Sequence, residues 1–185
     1  VNYNAIKLDP ADKTIFLAEP NMHLDLGGIA KGYAVDRAVK LLLDRGVVSA
    51  IVTAGGDSRI IGSRGERPWY IGIKNPRNEN ENAVIIPLSD TAISTSGDYE
   101  RFFIKDGVRF HHILSPKTGM SVGHVQSVSV LATLAVDSDA LSTTVFILGV
   151  EKGLALVNSL EGIDAVIIDN EGKLHYSENL LMPEQ

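Results

Sequence analysis

The chain has 185 residues, 44% hydrophobic and 22% charged, enough apolar surface for one packed core and too much for a wholly disordered chain. Seventeen Lys and Arg against 23 Asp and Glu leave a formal charge of −6, and with no basic cluster this excludes a general nucleic-acid surface. The absence of cysteine excludes disulfides, zinc-thiolate sites and thiol nucleophiles, and no uninterrupted apolar run reaches the roughly 18 residues of a membrane span. Opening at Val1, with no signal-like segment or lipidation motif, the chain is expected to be a fragment of a longer protein.

In chain order, Ile6, Leu8, Ile15 and Leu17 flank the turn-forming Asp9-Pro10-Ala11-Asp12 and predict two short strands, with residues 22–26 as a third. From Ile29 the period changes: Ile29, Val35, Ala38, Val39, Leu42 and Leu43 share one helical face, and Gly46 supplies the stop. Residues 49–53 predict a buried strand running into the Gly55-Gly56 turn, followed by strands at 59–61 and 69–73. The polar stretch 74–82, KNPRNENEN, lacks apolar periodicity and predicts a surface loop. Strands at 83–88 and 91–95 are expected to pair around Ser89-Asp90, and 101–104 with 108–114 to form a hairpin on the Asp106-Gly107 turn. A valine-rich strand at 127–131 precedes a helix over 136–148, whose buried side is expected at Ala140, Leu141, Thr144, Val145 and Leu148. A further helix begins near Glu151, and strands at 165–168 and 173–176 close the chain. Strands joined by hairpin-length turns outnumber helices, which predicts an α+β fold rather than a doubly wound parallel sheet.

Five stretches carry chemistry-bearing residues. In the run from Asp25 to Asp36, paired Gly27 and Gly28 between a strand and a helix would let backbone N–H groups approach a phosphate, with Lys31 adding a charge; a tight turn with a solvent-facing lysine accounts for the same spacing. Ala54-Gly55-Gly56-Asp57 is a second glycine turn, either a close ligand approach with Asp57 as a hydrogen-bond acceptor or a hairpin corner with an exposed Asp57. Thr95-Ser96-Gly97 leads a hydroxyl-rich turn that ends in Arg101. His111 and His112 are adjacent in a strand, so their side chains point to opposite faces, a poor zinc chelate. Asp139 and Thr143 are four apart on one helical face and together offer oxygen ligands to a hard cation such as magnesium; helix-terminal charge and packing account for the same residues.

Taken in order, DLGGIAKGYAVD, AGGD, STSGDYERFF, HHILSPKTG and DSDALSTTVFILG resemble the ApbE-type flavin transferase family, the FAD:protein FMN transferases. The resemblance implies an α+β, T-fold-related architecture, a largely antiparallel sheet packed with helices. It makes residues 1–185 a single domain representing the C-terminal portion of a family member and lacking an N-terminal segment. It implies Mg²⁺-dependent transfer of FMN from FAD to a threonine hydroxyl of an acceptor flavoprotein, with release of AMP; FAD pyrophosphatase activity and a non-catalytic FAD-binding module are the alternatives. Carried over residue by residue, it puts FAD contacts at Asp25, Lys31 and Ile113, with Gly55, Gly56, Ser96 and Gly97 lining the nucleotide. Magnesium falls to the backbone oxygen of Gly28 with Asp139 and Thr143, and the catalytic base to His112. Ser115 departs from the pattern, standing where many relatives carry Asp or Asn. The implied partners are FAD and acceptor flavoprotein subunits of redox-driven ion pumps, and the implied location is the periplasm, with lipid anchoring through a segment outside this sequence.

Overall fold

The computed structural model describes residues 2–181. A 3₁₀ turn at Tyr3–Ala5 leads into the hairpin β1 (Ile6–Asp9) and β2 (Thr14–Leu17), whose turn is tied by Asp9 Oδ1 accepting from the amides of Ala11 and Asp12. The strand expected at 22–26 is absent. Asp25 Oδ1 instead accepts from the Gly27 amide at 2.7 Å and the Leu26 carbonyl accepts from Ile29 and Ala30, so this backbone forms a turn feeding α1 (Ala30–Leu43). On α1, Val35 and Val39 are buried as the periodicity predicts, whereas Ile29 and Leu43 are exposed.

After α1 come β3 (Ala50–Ala54), β4 (Asp57–Ile61), the long hairpin β5 (Trp69–Asn75) and β6 (Asn78–Leu88), and β7 (Ala92–Gly97). Strand β3 is not buried as expected. It is the outermost strand of the sheet, with exposed residues alternating along it. Nor is 74–82 a loop: the two strands continue through it, pairing Lys74 with Asn82 and Asn75 with Asn78 across register shifts. Pairing of 83–88 with 91–95 is also overturned, since β6 pairs only with β5 while β7 lies between β4 and β10 (Val125–Ala132). The link between them crosses from the hairpin to the main sheet, fixed by Asp90 Oδ1 accepting from the Gly62 amide at 2.7 Å.

Hairpin β8 (Phe102–Lys105) and β9 (Val108–His111) turns on Asp106 and Gly107, both at positive φ as a type I′ turn requires. Helix α2 (Ala135–Asn158) joins end to end the two helices expected there. The break between them is Gly149, at φ 79° and ψ −176°. Strands β11 (Asp164–Asp169) and β12 (Leu174–Tyr176) and the short α3 (Glu178–Leu181) finish the described chain; the sequence pattern did not indicate α3.

The main sheet has six strands in the order β12-β11-β10-β7-β4-β3, every neighbouring pair antiparallel, which bears out the α+β expectation. Because strand side chains alternate, each central strand serves two cores. Val128, Val130, Ala165 and Ile167 meet Val145, Phe146 and Val157 of α2, while Val35 and Val39 of α1 pack on Ile61 and Ala92. On the opposite face Ile60, Ile93, Leu131 and Val166 meet Ile73 and Leu88 of the β5–β6 hairpin. Each fully buried side chain of this size stabilises the fold by about 1.5–3 kcal/mol.

By length and composition α2 could cross a membrane. In the fold it is the central helix, with Ala135, Ser138, Asp139, Ser142, Val145, Phe146, Gly149, Gly153 and Val157 turned inward. This face is rotated from the one expected, for Thr144 is exposed and Leu148 is 38% exposed, whereas Ser138, Asp139 and Ser142 are buried. Polar residues occupy the inward face because its N-terminal half packs on α1 and on the hydroxyl-bearing strand β7, where they find partners.

Candidate active site

Helices α1 and α2 cross at Gly32. A Cβ built there would lie 2.2 Å from the Ala135 carbonyl oxygen and 2.7 Å from the Val136 Cα, so only glycine lets the two backbones meet. Two carboxylates lock the crossing. Asp36 of α1 reaches the start of α2, its Oδ1 and Oδ2 accepting from the amides of Ala135 and Val136 at 3.0 and 2.9 Å, which supplies from a neighbouring helix the cap that Leu134 cannot provide. Arg59 Nη1 donates to the same Asp36 at 2.6 Å. In return, Asp139 of α2 reaches the start of α1, accepting from the Gly32 amide at 2.9 Å and from Lys31 Nζ at 2.9 Å.

Lys31 is therefore not the solvent-facing lysine of a simple turn. Its ammonium lies between two buried carboxylates, 2.9 Å from Asp139 Oδ1 and 2.9 Å from Asp57 Oδ2, while its own side chain stays 41% exposed. Asp57 is brought there by the Gly55-Gly56 turn, whose residues stand at φ 57° and 95°. Gly55 also makes room for the lysine stem, since a Cβ on it would meet Lys31 Cδ at 2.9 Å. Burial works against the Lys31 ammonium, but its attraction to Asp139 and Asp57 outweighs it and holds its pKa above the usual lysine value. Burial pushes the Asp57 carboxyl above its ordinary range, with the Asp139 charge adding to the effect and Lys31 opposing it. Sequence reasoning offered Asp57 either as a hydrogen-bond acceptor beside a ligand or as an exposed hairpin-corner residue; the fold buries it at 2% exposure against Lys31, so the exposed corner is overturned.

The hydroxyls of β7 extend this cluster. Ser96 Oγ lies 2.9 Å from Ser142 Oγ and 3.0 Å from Thr143 Oγ1, and Ser94 Oγ lies 2.7 Å from Ser138 Oγ. Thus Lys31, Gly55, Ser96, Asp139 and Thr143, scattered from residue 31 to residue 143, form one connected set with Asp57. Asp25 and Gly28 sit in the turn just before α1, Asp25 using one oxygen to hold that turn. Gly97 ends β7 with the Tyr99 ring against it.

The histidines separate as strand geometry requires. His111 is 7% exposed, with Nε2 at 2.6 Å from the Val122 carbonyl, Nδ1 accepting from the Ile113 amide, and its ring edge-on to Phe146. His112 is exposed, its amide bonded to the Arg101 carbonyl. Partial burial, ahead of the nearby His111 and Arg101 charges, lowers the pKa of its ring from 6.5, which keeps the neutral, proton-accepting form available. The His112 hairpin is tied to the end of β7 through Asp98, which receives Arg77 on both oxygens at 2.8 and 2.6 Å and has Arg109 Nε at 3.8 Å. Ile113 carries its side chain into the core, with its amide bonded to His111 and its carbonyl to Val122. Ser115 Oγ accepts from the Lys117 amide, doing for its loop what an Asp or Asn side chain does in an Asx turn.

Among the described residues no three His, Asp or Glu side chains gather into a self-sufficient metal cage. The donor set nevertheless suits magnesium. Two buried carboxylates share one ammonium, leaving a net negative charge, and Asp57 Oδ2, though at ion-pair distance from Lys31, has no hydrogen-bond partner. Such an all-oxygen site with one or two protein carboxylates is what a magnesium ion sharing its shell with substrate phosphates uses.

Fold and site together define an α+β protein whose polar cluster lies where two helices cross over an antiparallel sheet. The ApbE family model matches residues 1–167, and the chain belongs to that family. It is 38% identical over 182 residues to the FAD:protein FMN transferase of Treponema pallidum, covering 92% of this chain and 50% of that protein. It is 39% identical over 163 residues to the enzyme of the same name from Klebsiella pneumoniae, covering 87% and 50%. Among solved structures, the ApbE protein of Thermotoga maritima superposes with a TM-score of 0.85 at 40% identity, over 96% of this chain and 58% of that one. The flavin transferase ApbE of Vibrio cholerae gives 0.81 at 32% identity, over 95% and 56%. The chain thus spans about half the length of the curated relatives it matches.

Proposed function

We propose that this chain is the C-terminal part of an FAD:protein FMN transferase that moves FMN from FAD to a threonine hydroxyl of an acceptor flavoprotein and releases AMP. The observation that carries the proposal is the Lys31–Asp57–Asp139 cluster at the α1–α2 crossing, in a chain of this family. Lys31 supplies a mobile positive charge for the FAD diphosphate, and Asp25, Gly55, Gly56, Ser96, Gly97 and Ile113 border the nucleotide.

Asp139, Thr143 and the Gly28 carbonyl would hold magnesium, which when bound neutralises diphosphate charge and polarises the phosphorus under attack. His112, exposed and favoured in its neutral form, takes the proton from the incoming threonine hydroxyl. A docked hydroxyl outcompetes water through orientation, because a positioned acceptor reacts as if at very high local concentration. Acceptor subunits of redox-driven ion pumps, and export to the periplasm with a lipid anchor on the full-length protein, belong to the same proposal and rest on the resemblance alone.

The test incubates the full-length protein with FAD, Mg²⁺ and a candidate flavoprotein subunit. AMP formed in step with an FMN-sized mass increase on one acceptor threonine supports transfer. AMP with free FMN and an unmodified acceptor supports the pyrophosphatase, and unchanged FAD despite measured binding supports a module without turnover.

A further inference from the structure

We propose that Asp57 is a positioning residue that takes over Lys31 when a divalent cation occupies Asp139, so that one lysine serves two carboxylates in turn. The inference rests on the magnesium reading of Asp139 above and adds a residue to which the motif resemblance carries over no role.

The geometry is asymmetric. Lys31 Nζ is equally far from both carboxylates, at 2.9 Å, yet it is aligned as a hydrogen-bond donor only to Asp139, leaving Asp57 Oδ2 without a partner. Both carboxylates are fixed, each 2% exposed, whereas the lysine side chain is 41% exposed and able to move. Asp139 has its other oxygen committed to the Gly32 amide, so Oδ1 is the oxygen a cation would claim, and Lys31 occupies it. A cation there repels an ammonium at the same oxygen. Asp57 Oδ2 lies within reach of that ammonium, buried, charged and short of one hydrogen bond. The cleared space above Gly55 lets the lysine stem lie across the turn toward it. In charge terms, Lys31 and Asp57 cancel, and Asp139 keeps its negative charge for the cation. Without the Asp57 charge the ammonium would stay on Asp139 and the cluster would be neutral.

The test measures binding of Mn²⁺ alone to full-length protein by electron paramagnetic resonance, without FAD, so that turnover plays no part. Asp57→Asn, which keeps the side-chain shape, should weaken Mn²⁺ binding at least tenfold while near-ultraviolet circular dichroism stays native. Adding Lys31→Met to that variant should restore affinity to within about threefold of wild type, because the competing ammonium is gone; a purely structural ion pair would show no such rescue. Should Asp57→Asn fail to fold, Lys31→Met alone carries the test, since it should raise Mn²⁺ affinity threefold or more. Wild-type affinity in folded Asp57→Asn, or lack of rescue in the double variant, overturns the role of Asp57 if Asp139→Asn still abolishes binding. If Asp139→Asn binds Mn²⁺ normally, or the wild type binds none, the magnesium reading falls first and the Asp57 proposal with it.

Discussion

Replacing Gly32 with alanine sets two physical effects against each other. In an exposed helix interior the change would stabilise the protein by about 1 kcal/mol, because alanine is the better helix former. Here the new Cβ would sit 2.2 Å from a backbone oxygen of α2, well inside the 3.4–4 Å of ordinary contact. Backbone cannot rotate away as a side chain can, so the helices must part by about 1 Å, an overpacking cost of about 1–3 kcal/mol. Parting them also strains the amide-to-carboxylate bond from Gly32 to Asp139, a class of bond worth about 1.5–3 kcal/mol. The net expectation is destabilisation by about 2–4 kcal/mol, which for a chain of this size lowers Tm by roughly 5–15 °C. Differential scanning calorimetry of Gly32→Ala against Ala34→Gly, an exposed position on the same helix, separates the effects. Propensity alone would make Gly32→Ala the more stable variant, and a Tm at or above wild type would refute the close crossing.

Asp36→Ala should cost about 2–3 kcal/mol in urea unfolding, since α2 loses its only side-chain cap and Arg59 its partner. His112→Gln should retain FAD binding and lose most transfer activity, and the acid limb of the wild-type pH–rate profile should lie below pH 6.5, because the ring loses its proton more readily than a free histidine; a limb above that value would contradict the base assignment. His111→Gln should lower thermal stability, for it disrupts a buried ring bonded to Val122 and packed on Phe146. Asp169 is held below its ordinary 3.8 first by the His175 bond and then by the Lys173 and Glu171 amides, so its contribution is present above pH 3.8 and lost as pH falls through the lower folded value. Asp169→Ala should therefore shift the urea midpoint at pH 6 and shift it progressively less as pH falls below 3.8.

What the sequence revealed followed its apolar period. Helix α1 buries a regular stripe and β10 and β11, buried on both faces, read as apolar runs, while for α2 the residue types announced the helices but not the face turned inward. The extension of β5 and β6 through 74–82 was not announced, because most of those residues are polar and exposed, and the strands are held there by backbone pairing and by polar bonds such as Arg77 to Asp98 rather than by an apolar face. The pairing of β7 was equally hidden: its nearest sequence neighbour is β6, but its serines find partners on α2 and its sheet neighbours are β4 and β10. At the site, the ordered motifs singled out Lys31 and Asp139, but only the fold shows that residues 108 apart make a direct ion pair. It also gives Asp139 a structural task, tying α1 to α2, so alanine at this position would remove a helix contact along with any metal ligand.

The placement of the reaction at the α1–α2 crossing is tested most directly by comparing two aspartates two residues apart in sequence, and therefore on nearly opposite sides of α2. Asp137 is exposed at the start of α2, and Asp139 is buried against Lys31. AMP release from FAD by the full-length protein would be followed over a Mg²⁺ titration for Asp137→Asn and Asp139→Asn, each confirmed as folded. The account predicts a wild-type magnesium response for Asp137→Asn and a flat, nearly inactive one for Asp139→Asn. A wild-type response in Asp139→Asn, with the loss appearing in Asp137→Asn instead, would contradict it.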